Sequence, residues 1–271
     1  MLEITITLIK ERDMIKLVVS DVDGTLLRNG DKEIPEQVIE YIKEFSEKGI
    51  LFAVASGREY TSLRHLFEPV KDDIIYICVN GALVVYKEQL ISKSILDRRT
   101  AFQISEDILK EPGCEILISG EEKTYSKVKK QSFADHIRND VKNVLEEIKN
   151  FRDIKEEVIK VSAFKEGDIT EVAKKLQKKW GQNVYVVQSQ TTWLDFTAPY
   201  VTKGNALMRV QEAFGITEED TMAFGDNYND LDMFEHAFFS YAMQDSYTDI
   251  RRAARFLAPD VATILQDVLR I

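Results

Sequence analysis

Apolar runs and polar breaks alternate along the first third of the chain. Residues 15–19 are mostly apolar and end in a turn that carries Asp21 and Asp23. Val38, Ile39, Ile42 and Phe45 then recur at helical intervals between Pro35 and Gly49, which predicts an amphipathic helix started by proline and stopped by glycine. Residues 50–55 are again continuously apolar, Leu63 and Phe67 mark a second helix, and residues 74–79 form a third apolar run. Strands that are apolar throughout are buried on both faces, and their alternation with helices predicts a doubly wound parallel sheet.

Between residues 87 and 192 the pattern changes. Glycines thin out, charge rises, and strand candidates at 115–119, 158–164 and 184–188 mix polar with apolar residues. They read as half-exposed, with helices expected at 141–148 and 169–180, so this stretch is expected to be an α+β insert whose sheet is open on one face. After residue 195 the core pattern returns, with strands at 221–224 and 238–242 and helices at 203–214 and 261–269. The expected organisation is an α/β core made of residues 14–86 and 193–271, an inserted domain at 87–192 and an N-terminal extension at 1–13. Residues 1–13 read either as an upstream start before Met14 or, through the alternation at residues 4–9, as an extra edge strand.

Composition narrows the function classes. The 271 residues are 44% hydrophobic, enough for a substantial core, and the formal charge of −10 disfavours nucleic acid or an anionic membrane as the main partner. An anionic substrate would need local positive charge. Cys78 and Cys114 lie in apolar stretches without metal spacing and read as buried free thiols of a reducing cytoplasm. No apolar run reaches the roughly 18 residues of a membrane span, and the N-terminus lacks the order of a secretion signal.

Four segments carry candidate chemistry, each at the C-terminal end of a core strand or the start of a core helix, where open α/β sheets bind ligands. Asp21-Val22-Asp23-Gly24-Thr25 places two carboxylates one residue apart, a spacing that can divide nucleophilic and acid/base work. Taken alone it also reads as an Asx-rich turn. Ser56-Gly57-Arg58 offers a hydroxyl, backbone N–H groups and a guanidinium to an anion. Lys203 adds an ammonium to a helix N-terminus. Asp226-Asn227-Tyr228-Asn229-Asp230 adds two carboxylates, and oxygen-rich acidic turns of this kind suit Mg²⁺ better than zinc.

These segments, DVDGTLL, ASGR, TKG and GDNYND in that order, resemble the haloacid dehalogenase superfamily, and within it the Cof-type phosphatases that carry a large α/β cap. Asn80-Gly81-Ala82 fits the same pattern. The resemblance runs from Met14 to the end of the chain and implies a Rossmann-like core with an inserted cap that selects the substrate. It further implies Asp21 as a nucleophile that becomes an aspartyl phosphate, Asp23 as the acid and then the base, and Lys203 as the neutralising cation. Thr25, Ser56, Gly57, Arg58 and Asn229 would bind the phosphoryl group. Mg²⁺ would be held by the Asp21 carboxylate, the Asp23 carbonyl and Asp226, with Asp230 as a further ligand or a support beside them. The substrate implied is a small phosphorylated metabolite, a sugar phosphate or a phosphorylated cofactor. Phosphomutases of the superfamily keep both aspartates, so a mutase is the chemical rival, and a metabolite sensor that reuses the site is the non-enzymatic one. Oligomeric state stays open.

The chain departs from the family after the last motif. Residues 239–245 read FSYAMQD where a glycine-containing GVAMGNA-like stretch is usual. Tyr228 reads equally as a solvent-facing residue or a substrate contact. Lys123, Lys127, Lys129 and Lys130 around Tyr125 read as a solvated charged face, Trp193 as packing, and His65, His136 and His236 receive no role.

Overall fold

The first apolar run becomes β1, Leu17–Asp21, and all five residues are buried. The computed structural model describes residues 15–28 and 30–270. The extension 1–13 and the edge strand expected at 4–9 lie outside the described residues. After β1 follow α1 (Glu36–Glu47), β2 (Leu51–Ala55), α2 (Tyr60–Leu66), β3 (Ile74–Cys78), β4 (Leu83–Tyr86) and β5 (Gln89–Lys93). Next come α3 (Arg98–Lys110), β6 (Cys114–Ser119), β7 (Thr124–Ser126), α4 (Gln131–Asn139), β8 (Leu145–Glu147), β9 (Lys160–Lys165), α5 (Thr170–Trp180), β10 (Tyr185–Gln190) and β11 (Trp193–Thr197). The chain closes with α6 (Lys203–Phe214), β12 (Thr221–Gly225), α7 (Leu231–Glu235), β13 (Phe239–Met243), α8 (Thr248–Ala253), β14 (Phe256–Ala258) and α9 (Val261–Leu269).

The described residues divide into two compact units. The first holds the chain up to Ser56, Leu66–Ser92 and everything from Thr202; the second holds Gly57–His65 and Lys93–Val201. In the first unit an eight-stranded sheet runs β14-β13-β12-β1-β2-β3-β4-β5. The pairs from β14 to β3 are parallel, and β4 turns back antiparallel on β3. The chain leaves β1 towards β2 on one side and returns through β12 on the other. A reversal of this kind opens a crevice at the carboxyl ends of the strands beside β1.

In α1, Val38, Ile39, Ile42 and Phe45 are buried, the face their spacing predicts. The atypical residues 239–243 form β13, all buried, and Tyr241 stacks on Phe224 at 5.1 Å between ring centroids. Aromatic bulk fills the space beside β12. Cys78 and Cys114 are buried thiols that form no disulfide.

The second unit carries a six-stranded sheet in the order β10-β11-β9-β6-β7-β8. Its main core gathers Ala101, Ile104 and Ile108 of α3, Val172 and Leu176 of α5, and Ile116, Ile118, Val161, Ala163, Leu194 and Phe196 of the sheet. Its boundaries differ from the expected 87–192. The β4–β5 stretch belongs to the first sheet, whereas β11, expected in the core, pairs antiparallel with both β10 and β9.

Two further expectations are corrected. No helix covers 141–148; the helix is α4, which buries Phe133, Ala134 and Ile137, and residues 145–147 form β8, parallel to β7. The apolar spacing of Val141, Leu145 and Ile148 suits either structure, but Lys142 takes a φ of +64°, which breaks a helix there. The strands at 115–119 and 160–163 are also buried rather than half-exposed. Their polar residues find partners inside the unit: Ser119 Oγ donates to Glu59 at 2.7 Å, Ser162 Oγ donates to Asp195 at 2.6 Å, and Lys160 Nζ stands 3.2 Å from Glu59. Strand polarity therefore did not mean solvent.

Candidate active site

Strand register explains why distant residues meet. Asp21 at the end of β1 is level with Ala55 of β2, and Ser20 is level with Phe224 of β12, so Ser56 and Asp226 leave the neighbouring strands just beyond Asp21. Lys203 arrives at the N-terminus of α6, where the Thr202 side chain caps the helix by accepting from Asn205 N at 3.1 Å. Its ammonium donates to Asp21 Oδ1 at 2.5 Å and to Asp230 Oδ1 at 2.7 Å, with no exposed side-chain surface. Asp230 Oδ2 accepts the backbone N–H groups of Asp226 and Asn227, each at 3.0 Å. Thr25 Oγ1 donates to Asp226 Oδ1 at 3.0 Å.

Asp23 is exposed in the turn after Asp21, and the Gly24 N–H closes this turn on the Leu27 carbonyl at 2.8 Å. Gly24 itself has a φ of +98°, and a Cβ there would lie 2.3 Å from Asp226 Oδ2. Only glycine lets the two acidic turns close on each other. Ser56 is buried in the first unit, while Gly57 and Arg58 are half-buried in the second. The Gly57 carbonyl faces Lys160 Nζ at 3.4 Å.

Asn229 Nδ2 donates to Asn80 Oδ1 at 3.0 Å, and the Asn80 N–H donates to the Ser56 carbonyl at 2.8 Å. Asn80 thus joins the ends of two strands to the last acidic turn, a role the candidate residues drawn from sequence did not include. Its signal was the Asn80-Gly81 dipeptide after a strand. Val79, Asn80 and Gly81 all have positive φ, 53°, 54° and 100°, and a side chain at Gly81 would meet the Thr202 carbonyl at 2.2 Å. A β-branched residue at positive φ is strained, and strain of this kind gathers at functional sites.

The charges oppose one another. Burial pushes the Asp21 carboxyl well above the ordinary carboxylate range; Lys203 pulls it down, and Asp230 and Asp226 push it further up. Asp226 is raised by burial and then by Asp230, against the Thr25 hydrogen bond. Burial would lower Lys203, but Asp21 and Asp230 outweigh it and hold the ammonium above its usual value.

Asp21, Asp226 and Asp230 each bring an oxygen within 4.8 Å of the others, and the buried Asp21 Oδ2 has no hydrogen-bond partner. An orphaned buried oxygen among mutually repelling carboxylates, joined among the described residues by no cysteine or histidine, fits a hard divalent cation such as Mg²⁺.

The other polar features flagged in the sequence are accounted for locally. Tyr228 is exposed, donates its hydroxyl to Asp249 at 2.8 Å and stacks on Tyr247 at 5.9 Å. The four lysines near Tyr125 each have their own partner. Lys123 pairs with Glu146 at 2.6 Å and Lys130 with Glu166 at 3.6 Å, Lys129 caps the carbonyls of Leu109 and Cys114, and Lys127 lies 3.7 Å from the Phe151 ring centroid.

Residues 18–263 match the family model described as haloacid dehalogenase-like hydrolase. The chain is 27% identical over 245 residues to the 5-amino-6-(5-phospho-D-ribitylamino)uracil phosphatase YbjI of Escherichia coli, covering 90% of each protein. Among solved structures, a protein from Eubacterium rectale superposes with a TM-score of 0.84 at 24% identity, covering 93% of this chain and 98% of that one. A sugar phosphatase of HAD subclass IIB superposes with a TM-score of 0.77 at 24% identity, covering 93% of this chain and 98% of that one. These structural likenesses fix the fold: a Rossmann-like parallel core with an inserted domain.

Proposed function

The chain belongs to the haloacid dehalogenase-like hydrolase family and is a phosphatase of it, and we propose that it hydrolyses a small phosphorylated metabolite through an aspartyl-phosphate intermediate with Mg²⁺ as cofactor. The observation that carries this reading is the asymmetry of Asp21. One carboxylate oxygen is held by Lys203, and the other is buried without a hydrogen-bond partner, so the protein leaves it open to a cation or a phosphoryl group.

In the first half-reaction a carboxylate oxygen of Asp21 forms a bond to phosphorus as the ester P–O bond breaks, and Asp23 gives its proton to the leaving oxygen. In the second, Asp23 takes a proton from the water that attacks the acyl phosphate, and Asp21 returns to a carboxylate. Lys203 balances the charge that builds on the phosphoryl oxygens and draws the Asp21 pKa down against the burial that raises it. Thr25, Ser56, Gly57, Arg58 and Asn229 are assigned to the phosphoryl group, with Asn80 setting the position of Asn229.

Asp21, Asp226 and the Asp23 carbonyl would hold Mg²⁺. Both oxygens of Asp230 are engaged, one by Lys203 and one by backbone N–H groups, which supports a positioning role beside the ion. When bound, the ion supplies charge neutralisation and orients the phosphate. The insert is assigned to substrate selection. The name of the Escherichia coli relative points to metabolites built on a phosphorylated sugar or sugar alcohol as the first to try.

The test is phosphate release from a panel of sugar phosphates, phosphorylated cofactors and p-nitrophenyl phosphate, with Mg²⁺ and with EDTA, beside Asp21→Asn. Metal-dependent release lost in the variant supports the reading. Isomer interconversion without release would replace it with a mutase, and silence from a folded protein with a sensor.

A further inference from the structure

The second unit holds a cavity of about 390 Å³ that the proposed chemistry does not use. Cross-strand register builds its floor: Glu115 of β6 is level with Phe164 of β9, and Phe164 is level with Trp193 of β11, so the three side chains stand in one row on one face of the sheet. Phe133 of α4 leans over the row, with ring centroids 5.2 Å from Phe164 and 6.2 Å from Trp193, and Phe164 lies 4.9 Å from Trp193. His136, one turn further along α4, has its ring centroid 5.7 Å from that of Phe164, the two rings tilted. The rim adds Ser132, Gln190 and Thr192.

Glu115 is the anomaly. It is 3% exposed, and among the described residues its carboxylate accepts one hydrogen bond, from Lys129 N at 3.0 Å, and meets no cationic nitrogen at ion-pair distance. Lys130, on the same cavity wall, is paired with Glu166 at 3.6 Å, so those two charges offset each other and the Glu115 charge stands over. A buried carboxylate without a counter-ion opposes folding, and an alanine or valine would pack on this sheet face at no such cost. Aromatic ring faces are negative as well, through their quadrupoles, and attract cations rather than anions.

From this combination the geometry points to a binding site for a small organic cation, a protonated amine or quaternary ammonium on a flat or apolar body. Its charge would sit against Glu115, its body between Phe133, Phe164 and Trp193, and its polar substituents would meet Ser132, Gln190 and Thr192. The site lies wholly within the second unit and stands independently of the phosphatase reading.

Titration of the full chain with benzyltrimethylammonium, followed by the indole N–H resonances of its two tryptophans, tests this. Trp180→Phe assigns the signals. The expected result is a saturable shift of Trp193 with Trp180 unmoved, benzyl alcohol binding at least about tenfold more weakly and phenylacetate not binding. Glu115→Gln is expected to abolish the preference for the cation. No shift of Trp193, equal saturation by alcohol and cation, or an undiminished preference in Glu115→Gln would overturn the proposal. If Glu115→Gln does not fold, the ligand series on the unaltered protein decides by itself.

Discussion

Lys203 and Asp21, separated by 182 residues, share a hydrogen bond of 2.5 Å in the buried centre of the first unit. The same ammonium reaches Asp230, so one cation holds two carboxylates in place. Lys203→Met therefore leaves both acids buried and unpaired, and the expected cost is about 3–5 kcal/mol of stability. Urea unfolding of the variant measures it, and a loss below about 1 kcal/mol would mean that the two acids do not stay buried, charged and unpaired.

Asp21→Asn should separate activity from stability. Turnover is expected to fall about a thousandfold or more, since an amide cannot form the acyl phosphate. The raised pKa of Asp21 means that its charged form opposes folding near neutral pH, so the melting temperature should hold or rise. Calorimetry beside phosphate release reads both.

Mg²⁺ should raise the thermal midpoint saturably, because it relieves the repulsion among Asp21, Asp226 and Asp230. At about a hundredfold excess over its dissociation constant the gain is about 2.7 kcal/mol. Asp226→Asn is expected to remove most of the shift, and a full shift in that variant would displace Asp226 from the ligand set.

Gly24→Ala sets backbone strain and a clash against each other in one substitution. Its Cβ would meet Asp226 at 2.3 Å, whereas Gly49, with a φ of +76°, has open space around it. Gly49→Ala is expected to cost about 1 kcal/mol with activity intact. Gly24→Ala should cost more and lose activity and Mg²⁺ binding together, which equilibrium unfolding and a metal titration resolve.

Asp107 gives the fold a dependence on acid. Although burial works against it, hydrogen bonds from Lys179 and Lys110 hold its carboxyl below the usual range. A pKa lowered on folding contributes stability above the unfolded value, and the contribution disappears as pH falls through the folded one. Wild type should exceed Asp107→Asn in urea midpoint near neutral pH. The gap should close as pH falls below the ordinary carboxylate range.

Much of this was legible in the sequence because it is local. The apolar runs of β1, β2 and β3 specify a sheet buried on both faces, Pro35 and Gly49 bracket α1, and the spacing of the acidic turns marks where chemistry belongs. α6 and α9 match their expected limits residue for residue. Helical periodicity and capping depend on near neighbours, so the chain states them itself.

Pairing across the fold is what only the tertiary structure decided. The sequence could not show that Glu115, Ser119, Lys160, Ser162 and Asp195, which look like the wet face of a half-exposed sheet, are buried. Nor could it place β11 with the second sheet, distinguish β8 from a helix, or reveal Asn80 as the link between Ser56 and Asn229. A polar side chain carries the same letter whether water or a partner 60 residues away satisfies it, and that partner, as with Ser119 and Glu59, exists only once the chain has folded.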